Sequence, residues 1–237
     1  MLKLSFLSIA MALMAAFSVQ GKGLSHYELN VTDFNQLKVT SGINVNYVAN
    51  PDSAGKAVFD APSELASVIA FIPNKNKLTI EFTTKGEKYE NLPTITVYSR
   101  YLTLAENQGD SLLRLTNVAP GPEIKLRVMG RGRLVAHDLT FNEVSASITT
   151  GSGQIVVSGK CSVANLTSYS VGNIQADKLQ ADIVKCKLVG TGEIGCWPVE
   201  ELSVQFSGGS GNIYYRGEPK KIKNRSFNIK VRRIEED

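Results

Sequence analysis

The sequence is poor in the residues that most often carry catalysis and bind metal ions. Its 237 residues include three cysteines, two histidines and one tryptophan. The histidines, His26 and His137, lie far apart, and no Cys-x-x-Cys pair or mixed Cys/His cluster occurs. A structural zinc site needs such ligands at close spacing, and a thiol nucleophile needs a histidine within reach. We therefore assign no catalytic, metal-binding or cofactor-binding residue and expect a protein that is not an enzyme.

Long apolar runs are absent after the N-terminal segment. Lys3 precedes a mostly apolar run at residues 4–17, and small residues follow at Ser18 and Gly21. This order predicts a secretory signal peptide at residues 1–21, cleaved after Gly21 or alternatively after Ser18. The apolar run is short for a hydrocarbon core of ~30 Å, which disfavours an uncleaved membrane anchor. We expect an exported protein, in the periplasm, at the cell surface or outside the cell, with no integral membrane segment in its mature part.

A strong excess of one charge over the whole chain is also missing. Lys and Arg number 26 against 22 Asp and Glu. The surplus is concentrated at the C-terminus, because residues 216–237 hold eight basic and four acidic side chains. A nucleic-acid-binding domain has a broader basic surface, so we predict no nucleic-acid partner. The basic run at residues 220–225 is explained either by contact with anionic lipid or glycan, or by solvated charges that keep a sheet edge soluble.

The sequence does contain a repeat built on glycine. Five segments follow the pattern Gly-x-(Ile/Leu), and their glycines are 21, 19, 20 and 19 residues apart: 132–134, 153–155, 172–174, 192–194 and 211–213. In four of the five, another glycine lies two residues earlier, and Ser170 takes that place in the fifth. Glycine allows a sharp turn with positive φ. A turn every ~20 residues, with β-segments between the turns, is typical of one rung of a β-solenoid.

The residues after each turn predict two columns of inward side chains. Side chains two positions apart on a strand point to the same face. The first column contains Leu134, Ile155, Ile174, Ile194 and Ile213, and the second contains Ala136, Val157, Ala176, Cys196 and Tyr215. We predict that the first column is buried on adjacent parallel strands ~4.8 Å apart. The predicted fold is therefore all-β, a parallel β-helix or β-solenoid with rungs of about 20 residues; the alternative is an antiparallel β-sandwich with glycine turns.

The first part of the mature chain is less regular, and we predict a β-rich N-terminal lobe at residues 22–117. Alternating apolar residues indicate strands near Gly42 and at residues 56–60, 78–82 and 93–98, and Pro62 begins a predicted short helix. Residues 117–122, rich in Pro and Gly, mark a predicted seam. The β-solenoid lobe with its basic tail then occupies residues 118–237.

All three cysteines are predicted to be free thiols. Cys186 and Cys196 belong to inward columns, where free cysteines act as small core residues. The repeat register gives no reason for those two to approach each other. Cys161 follows Gly159 and Lys160, and of the three it is the one that we predict to be exposed.

Several segments resemble a known bacterial family, the head GIN domain, a domain of unknown function whose members are called putative auto-transporter adhesins. The resemblance rests on residues 34–45 (FNQLKVTSGINV), on residues 77–80 (KLTI) and on residues 207–215 (SGGSGNIYY) with Gly217-x-Pro219 after them. It covers essentially the whole mature chain and implies an exported, repetitive, solenoid-like protein. The family has no known catalytic residues to carry over, and its adhesin label does not by itself establish a function.

The function predicted from these features is a non-catalytic binding or adhesion-type module of the envelope or surface. Its partner would be a glycan or an envelope or surface protein. The alternative is a β-helix enzyme, a lyase or hydrolase that processes polysaccharides and needs carboxylates converging on one face. The available acids are Asp138, Asp177, Asp182 and Glu193, but they fall at different offsets from the repeat glycines and form no single column. We therefore expect them to be solvated carboxylates.

Overall fold

The chain folds mainly into β-strands. In this computed structural model, residues 15–17, 23–83 and 92–234 are described. The strands, in chain order, are β1 Ala15–Phe17, β2 Ser25–Asn30, β3 Gln36–Val39, β4 Asn44–Ala49, β5 Lys56–Ala61, β6 Ile69–Asn74, β7 Lys77–Phe82, β8 Thr94–Ser99, β9 Leu104–Asn107, β10 Leu112–Asn117, β11 Gly121–Met129, β12 Arg133–Thr150, β13 Gln154–Ser168, β14 Asn173–Gly190, β15 Glu193–Gly209, β16 Asn212–Tyr215, β17 Lys221–Phe227 and β18 Lys230–Arg233. A short helix, α1 Ser63–Ala66, follows Pro62 as predicted.

The strands wind into a β-solenoid of about six turns with two long faces. We call these faces sheet A and sheet B. Sheet A runs β1-β2-β5-β8-β4-β10, then the first parts of β12 to β15, then β16 and β18. Sheet B runs β6-β7-β3-β9-β11, then the second parts of β12 to β15, then β17. Each of β12 to β15 bends at a corner and so contributes to both sheets.

The predicted inward ladder is confirmed. Consecutive members are Cα partners on adjacent parallel strands: Leu134 with Ile155, Ile155 with Ile174, Ile174 with Ile194, and Ile194 with Ile213. All five side chains are at most 1% exposed. The ladder continues towards the N-terminus through Leu113 and Val45. Parallel pairing through the repeats excludes the antiparallel sandwich, and burial of a branched side chain at each rung is worth about 1.5–3 kcal/mol.

The repeat glycines are required because successive turns stack directly on each other. A Cβ added to Gly192 would lie 2.1 Å from the Gly172 carbonyl oxygen, and one added to Gly211 would lie 2.3 Å from the Gly192 oxygen. The backbone N–H after each of these turns donates to a carbonyl in the rung before, as in the bond from Asn212 N to Gly192 O (3.2 Å). Any side chain at these positions would separate the rungs, so they need glycine for close approach. Positive φ is instead found at the glycines two residues earlier, as at Gly190 (143°) and Gly209 (129°).

The N-terminal lobe is β-rich, as predicted, and joins the same two sheets. Its departure from the repeat comes from antiparallel pairings that involve β2, β5 and β6. Stacked rings close the core at this end: Tyr27 lies 5.2 Å from Phe59, which lies 5.9 Å from Phe71, measured between ring centroids. The predicted seam at residues 117–122 covers the end of β10, a corner and the start of β11. Both sheets continue across it, since β10 of sheet A pairs with β4 and β12, and β11 of sheet B pairs with β9 and β12.

Most of the predicted signal peptide lies outside the described residues. Residues 1–14 and 18–21 are not described, while β1 pairs antiparallel with β2 between Phe17 and His26. The signal peptide therefore stays a prediction. Over the described ranges, the structure has no helix with the length and hydropathy needed to cross a membrane.

The cysteines are free thiols, as predicted, but two details of the prediction are wrong. Cys161 is buried rather than exposed, although at 9% it is less completely buried than Cys186 and Cys196. It faces the core on β13 between Phe141 of β12 and Ala181 of β14. Cys186 of sheet B and Cys196 of sheet A do approach each other, closely enough for their thiols to interact across the core. That contact, together with burial, raises the pKa of Cys196 well above its usual value.

Candidate binding faces

The outer face of sheet B presents polar side chains in straight rows. One row crosses five neighbouring strands in register: Ser145, Asn165, Lys185, Ser203 and Lys223. Within it, Asn165 Nδ2 donates to Glu143 Oε1 on the next strand (2.7 Å). The parallel register produces the row, because paired residues on adjacent strands point to the same side. The core on the opposite side of each strand holds these side chains on a rigid surface.

A groove of about 460 Å³ lies on this face at its C-terminal end, and we call it the basic groove. Its lining residues come from β14, β15 and β17: Lys187, Ser203, Val204, Gln205, Lys223 and Arg225. Ser203 and Gln205 lie on the central strand of the three, β15. The cations lie on the strands at either side, so hydroxyl and amide groups lie between positive charges.

The charge of the basic groove is largely uncompensated. Lys223 Nζ lies 2.7 Å from Glu201 Oε1. This hydrogen bond, with weaker attraction from Lys221 and Lys185, lowers the pKa of Glu201, so the carboxylate stays ionised.

Across the described ranges, the ion pairs include none with Lys185, Lys187, Lys221 or Arg225. The Lys187 ammonium lies 5.2 Å from the centroid of the exposed Tyr169 ring, a cation–π contact that supplies no opposite charge.

A smaller depression of about 190 Å³ lies on the outer face of sheet A, and we call it the acidic notch. Gly195 leaves a gap in the outward row between Gln175 and Tyr214, with which it is in register. Asn173, Ile174, Asp177, Glu193 and Ile234 complete the lining. Amide, carboxylate and aromatic groups therefore surround one small space.

The acidic notch brings together two of the four acids, a proximity that their offsets from the repeat glycines did not predict. Asp177 and Glu193 line the same depression, although they follow different repeat turns. Glu193 is already engaged, since Asn212 Nδ2 donates to its Oε1 (3.3 Å). Asp138 and Asp182 do not line the notch; Asp138 lies at the β12 corner, where its backbone N–H donates to Ser158 Oγ (3.3 Å).

The two histidines are exposed and lie in separate polar contacts. His26 Nδ1 is 2.8 Å from Asp60 Oδ1, and His137 Nδ1 is 3.0 Å from Ser158 Oγ. A serine nucleophile needs its histidine oriented by a third group, and within the described residues no carboxylate is hydrogen-bonded to the His137 ring. No group of three or more His, Cys, Asp or Glu side chains that could hold a metal ion occurs in the described part of the chain.

Sequence reasoning noticed the basic run at residues 220–225 but missed the groove. The cations of β17 face those of β14 across β15, two strands away. The sequence did contain a signal for it: Lys185 and Lys187 are two residues apart on one rung, and Lys223 and Arg225 are two residues apart on a later one, so each pair points to one face of its strand. Their spatial relation depends on the pairing of β15 with β17, which the glycine spacing alone does not specify.

Comparison with known protein families gives one match over most of the chain. The model described as "Putative auto-transporter adhesin, head GIN domain" matches residues 33–219. No curated protein matches the chain.

Several solved structures share this fold. A putative adhesin from Bacteroides fragilis NCTC 9343 superposes with a TM-score of 0.79 at 23% identity, covering 90% of this chain and 98% of that one. A putative lipid binding protein from Parabacteroides distasonis ATCC 8503 has a TM-score of 0.69 at 18% identity, with coverage of 90% and 98%. A putative adhesin from Parabacteroides merdae ATCC 43184 has a TM-score of 0.64 at 19% identity, with coverage of 90% and 97%. At these identities the similarity establishes the shared fold.

Proposed function

Since the chain belongs to the putative auto-transporter adhesin, head GIN domain family, we propose that it is a non-catalytic binding module exported to the cell envelope or surface. Its partner is a glycan or a protein of that compartment. The adhesin description of the family supports a binding role without naming a partner. The predicted signal peptide supports export.

The observation that carries the proposal is the row of polar side chains on sheet B. Ser145, Asn165, Lys185, Ser203 and Lys223 repeat a hydrogen-bonding group at each strand, at a spacing of ~4.8 Å. A regular row on a rigid face suits an extended partner with repeated polar groups. Binding to a rigid face also loses little conformational entropy on the protein side.

A glycan array with the purified protein tests this function most directly. We expect selective retention of a subset of glycans and no chemical change in them. A hydrolysis and lyase screen on the same glycans, read by new reducing ends and by unsaturated products, is run beside the array. Turnover of any glycan would overturn the non-catalytic role. Failure to retain any glycan would leave the protein partner as the remaining form of the proposal, to be tested with purified envelope proteins.

The second candidate function, polysaccharide cleavage, is favoured by one observation. Asp177 and Glu193 share the acidic notch beside Tyr214, and glycosidases use two carboxylates around the scissile bond. The variants D177N and E193Q separate the two functions. Each would abolish turnover in an enzyme, whereas a binding module shows no turnover in the unaltered protein or in either variant.

A further inference from the structure

We propose that the basic groove on sheet B binds an acidic polysaccharide, a chain of sugars that carries carboxylate groups. The inference deepens the proposed function and rests on it, because it names the ligand class and the surface that holds it. The carrying observation is a set of cations on two strands that flank a polar floor on the strand between them.

The register defines the layout of the groove. Lys185, Ser203 and Lys223 are in one row, on β14, β15 and β17. Lys187 and Arg225 come two residues further along their strands and line the same groove. Strands lie ~4.8 Å apart and side chains on one face repeat every two residues. The Cα atoms of Lys187, Lys223 and Arg225, which line the groove, and of Lys185 beside it therefore mark a rectangle of roughly 10 Å by 7 Å. A polymer with a carboxylate on successive sugars can contact several corners at once, whereas a single small anion contacts one.

The chemistry of the lining fits a sugar acid. Guanidinium groups such as that of Arg225 bind carboxylates through two parallel hydrogen bonds. The Ser203 hydroxyl and the Gln205 amide both donate and accept hydrogen bonds, as sugar hydroxyls require. One carboxylate of the protein, Glu201, already lies beside Lys223. This ion pair shows that Lys223 can bind a carboxylate, the group that the proposed ligand carries.

The same features disfavour a membrane as the partner. Surface binding to a bilayer needs apolar side chains that enter the acyl region beside the cations. The floor of the groove is formed by Ser203 and Gln205, and Val204 has its side chain buried in the core. The exposed Ile222 and Phe227 lie on β17 but do not line the groove.

The test is equilibrium binding of fluorescently labelled polygalacturonate to the purified protein at low and at physiological salt. Neutral dextran is the uncharged control polymer, and vesicles of anionic phosphatidylglycerol with phosphatidylcholine are a separate arm. The groove variant is K187Q with R225Q. The matched control is K230Q with R232Q, which removes the same two charges from the same basic tail but on sheet A, since Lys230 and Arg232 are paired with Asn212 and Tyr214 of β16. Circular dichroism establishes that both variants fold.

We expect the unaltered protein to bind polygalacturonate but not dextran, with affinity that falls as salt rises. The groove variant should bind roughly tenfold more weakly, and the control variant within about twofold of the unaltered protein. Equal weakening in both variants would show that the tail charge alone attracts the polymer, and the inference would be wrong. Binding to the vesicles without binding to polygalacturonate, or no binding to either, would also overturn it.

Failure of this inference is distinguishable from failure of the proposed function. If the groove variant matches the control while the array retains a neutral glycan, the binding function stands and only the site and ligand class are wrong. Cleavage of polygalacturonate, read by reducing ends in the same samples, would instead contradict the non-catalytic role.

Discussion

The thiols of Cys186 and Cys196 meet in the core, yet we expect both to remain reduced, as Cys161 does. The two residues belong to opposite sheets, and facing sheets pack ~10 Å apart. A disulfide usually holds its Cα atoms within ~7 Å, so a bond would draw the two sheets together and disturb the packing. Both side chains are also fully buried. Thiol titration of the denatured, non-reduced protein should count three thiols per chain; a count of one, with a mapped Cys186–Cys196 peptide, would contradict this.

Two buried groups that can lose a proton, the Cys161 thiol and the Tyr47 hydroxyl, are expected to make the fold sensitive to alkaline pH. Burial, with a smaller contribution from Asp182, raises the pKa of Cys161 to about 12. Burial also raises the pKa of Tyr47 to about 12, although its hydroxyl pairs with Ser99 Oγ at 3.0 Å. In the unfolded chain these groups lose their protons near pH 9 and pH 10, while the folded chain still retains them. Their contribution to stability is therefore complete below pH 9 and is lost as pH rises towards 12.

Replacement of Cys161 by alanine isolates one of these contributions. The free energy of unfolding should fall with pH above about 9, and the C161A variant should have a slope shallower by up to about 1.4 kcal/mol per pH unit. Urea unfolding at a series of pH values measures both slopes. Identical slopes in the two proteins would show that the Cys161 thiol does not titrate differently on unfolding.

At the scale of the element, the glycine turns determine how closely successive rungs stack, and a substitution at Gly192 tests this role. An alanine Cβ there would meet the Gly172 carbonyl oxygen at 2.1 Å, so the variant G192A must push two rungs apart. We expect it to lower the free energy of unfolding by about 1–3 kcal/mol or more. The matched variant is G208A, because a Cβ at Gly208 has no atom within 4 Å. Thermal melting that affects both variants equally would contradict the stacking explanation.

Features that depend on residues close together in the sequence could be predicted, whereas features that depend on the pairing of distant strands could not. The ladder from Leu134 to Ile213 was predictable because each rung repeats the same step, a glycine turn followed by an inward branched residue. The acidic notch was not, since Asp177 lies where the pairing of β14 with β15 shifts register, after Ala176. That shift lets Asp177 approach Gly195 from the preceding rung. Offsets counted along the chain cannot show such an approach.

On the scale of the whole molecule, the two lobes share one core. Sheets A and B both run past the predicted boundary at residue 117, and the buried cluster extends from Tyr27 to Ile229. We therefore expect the lobes 22–117 and 118–237 to unfold together. Trp197 fluorescence reports on the C-terminal lobe, and far-ultraviolet circular dichroism reports on all strands. The two signals should give one denaturation midpoint, whereas an earlier Trp197 transition would indicate separate units.

The stacked glycine turns have a further consequence for how such a chain can change length. Each stacked turn packs against the turn before it, as Gly211 does against Gly192 and Gly192 against Gly172, so copying the gene segment for one rung would insert a unit that meets the same kind of surface on both sides. The molecule would grow by ~4.8 Å per inserted copy, with the aromatic end around Phe59 and the basic groove near the C-terminus left intact. Diversification by whole-rung duplication would thus alter the reach of the protein without redesigning its binding surface.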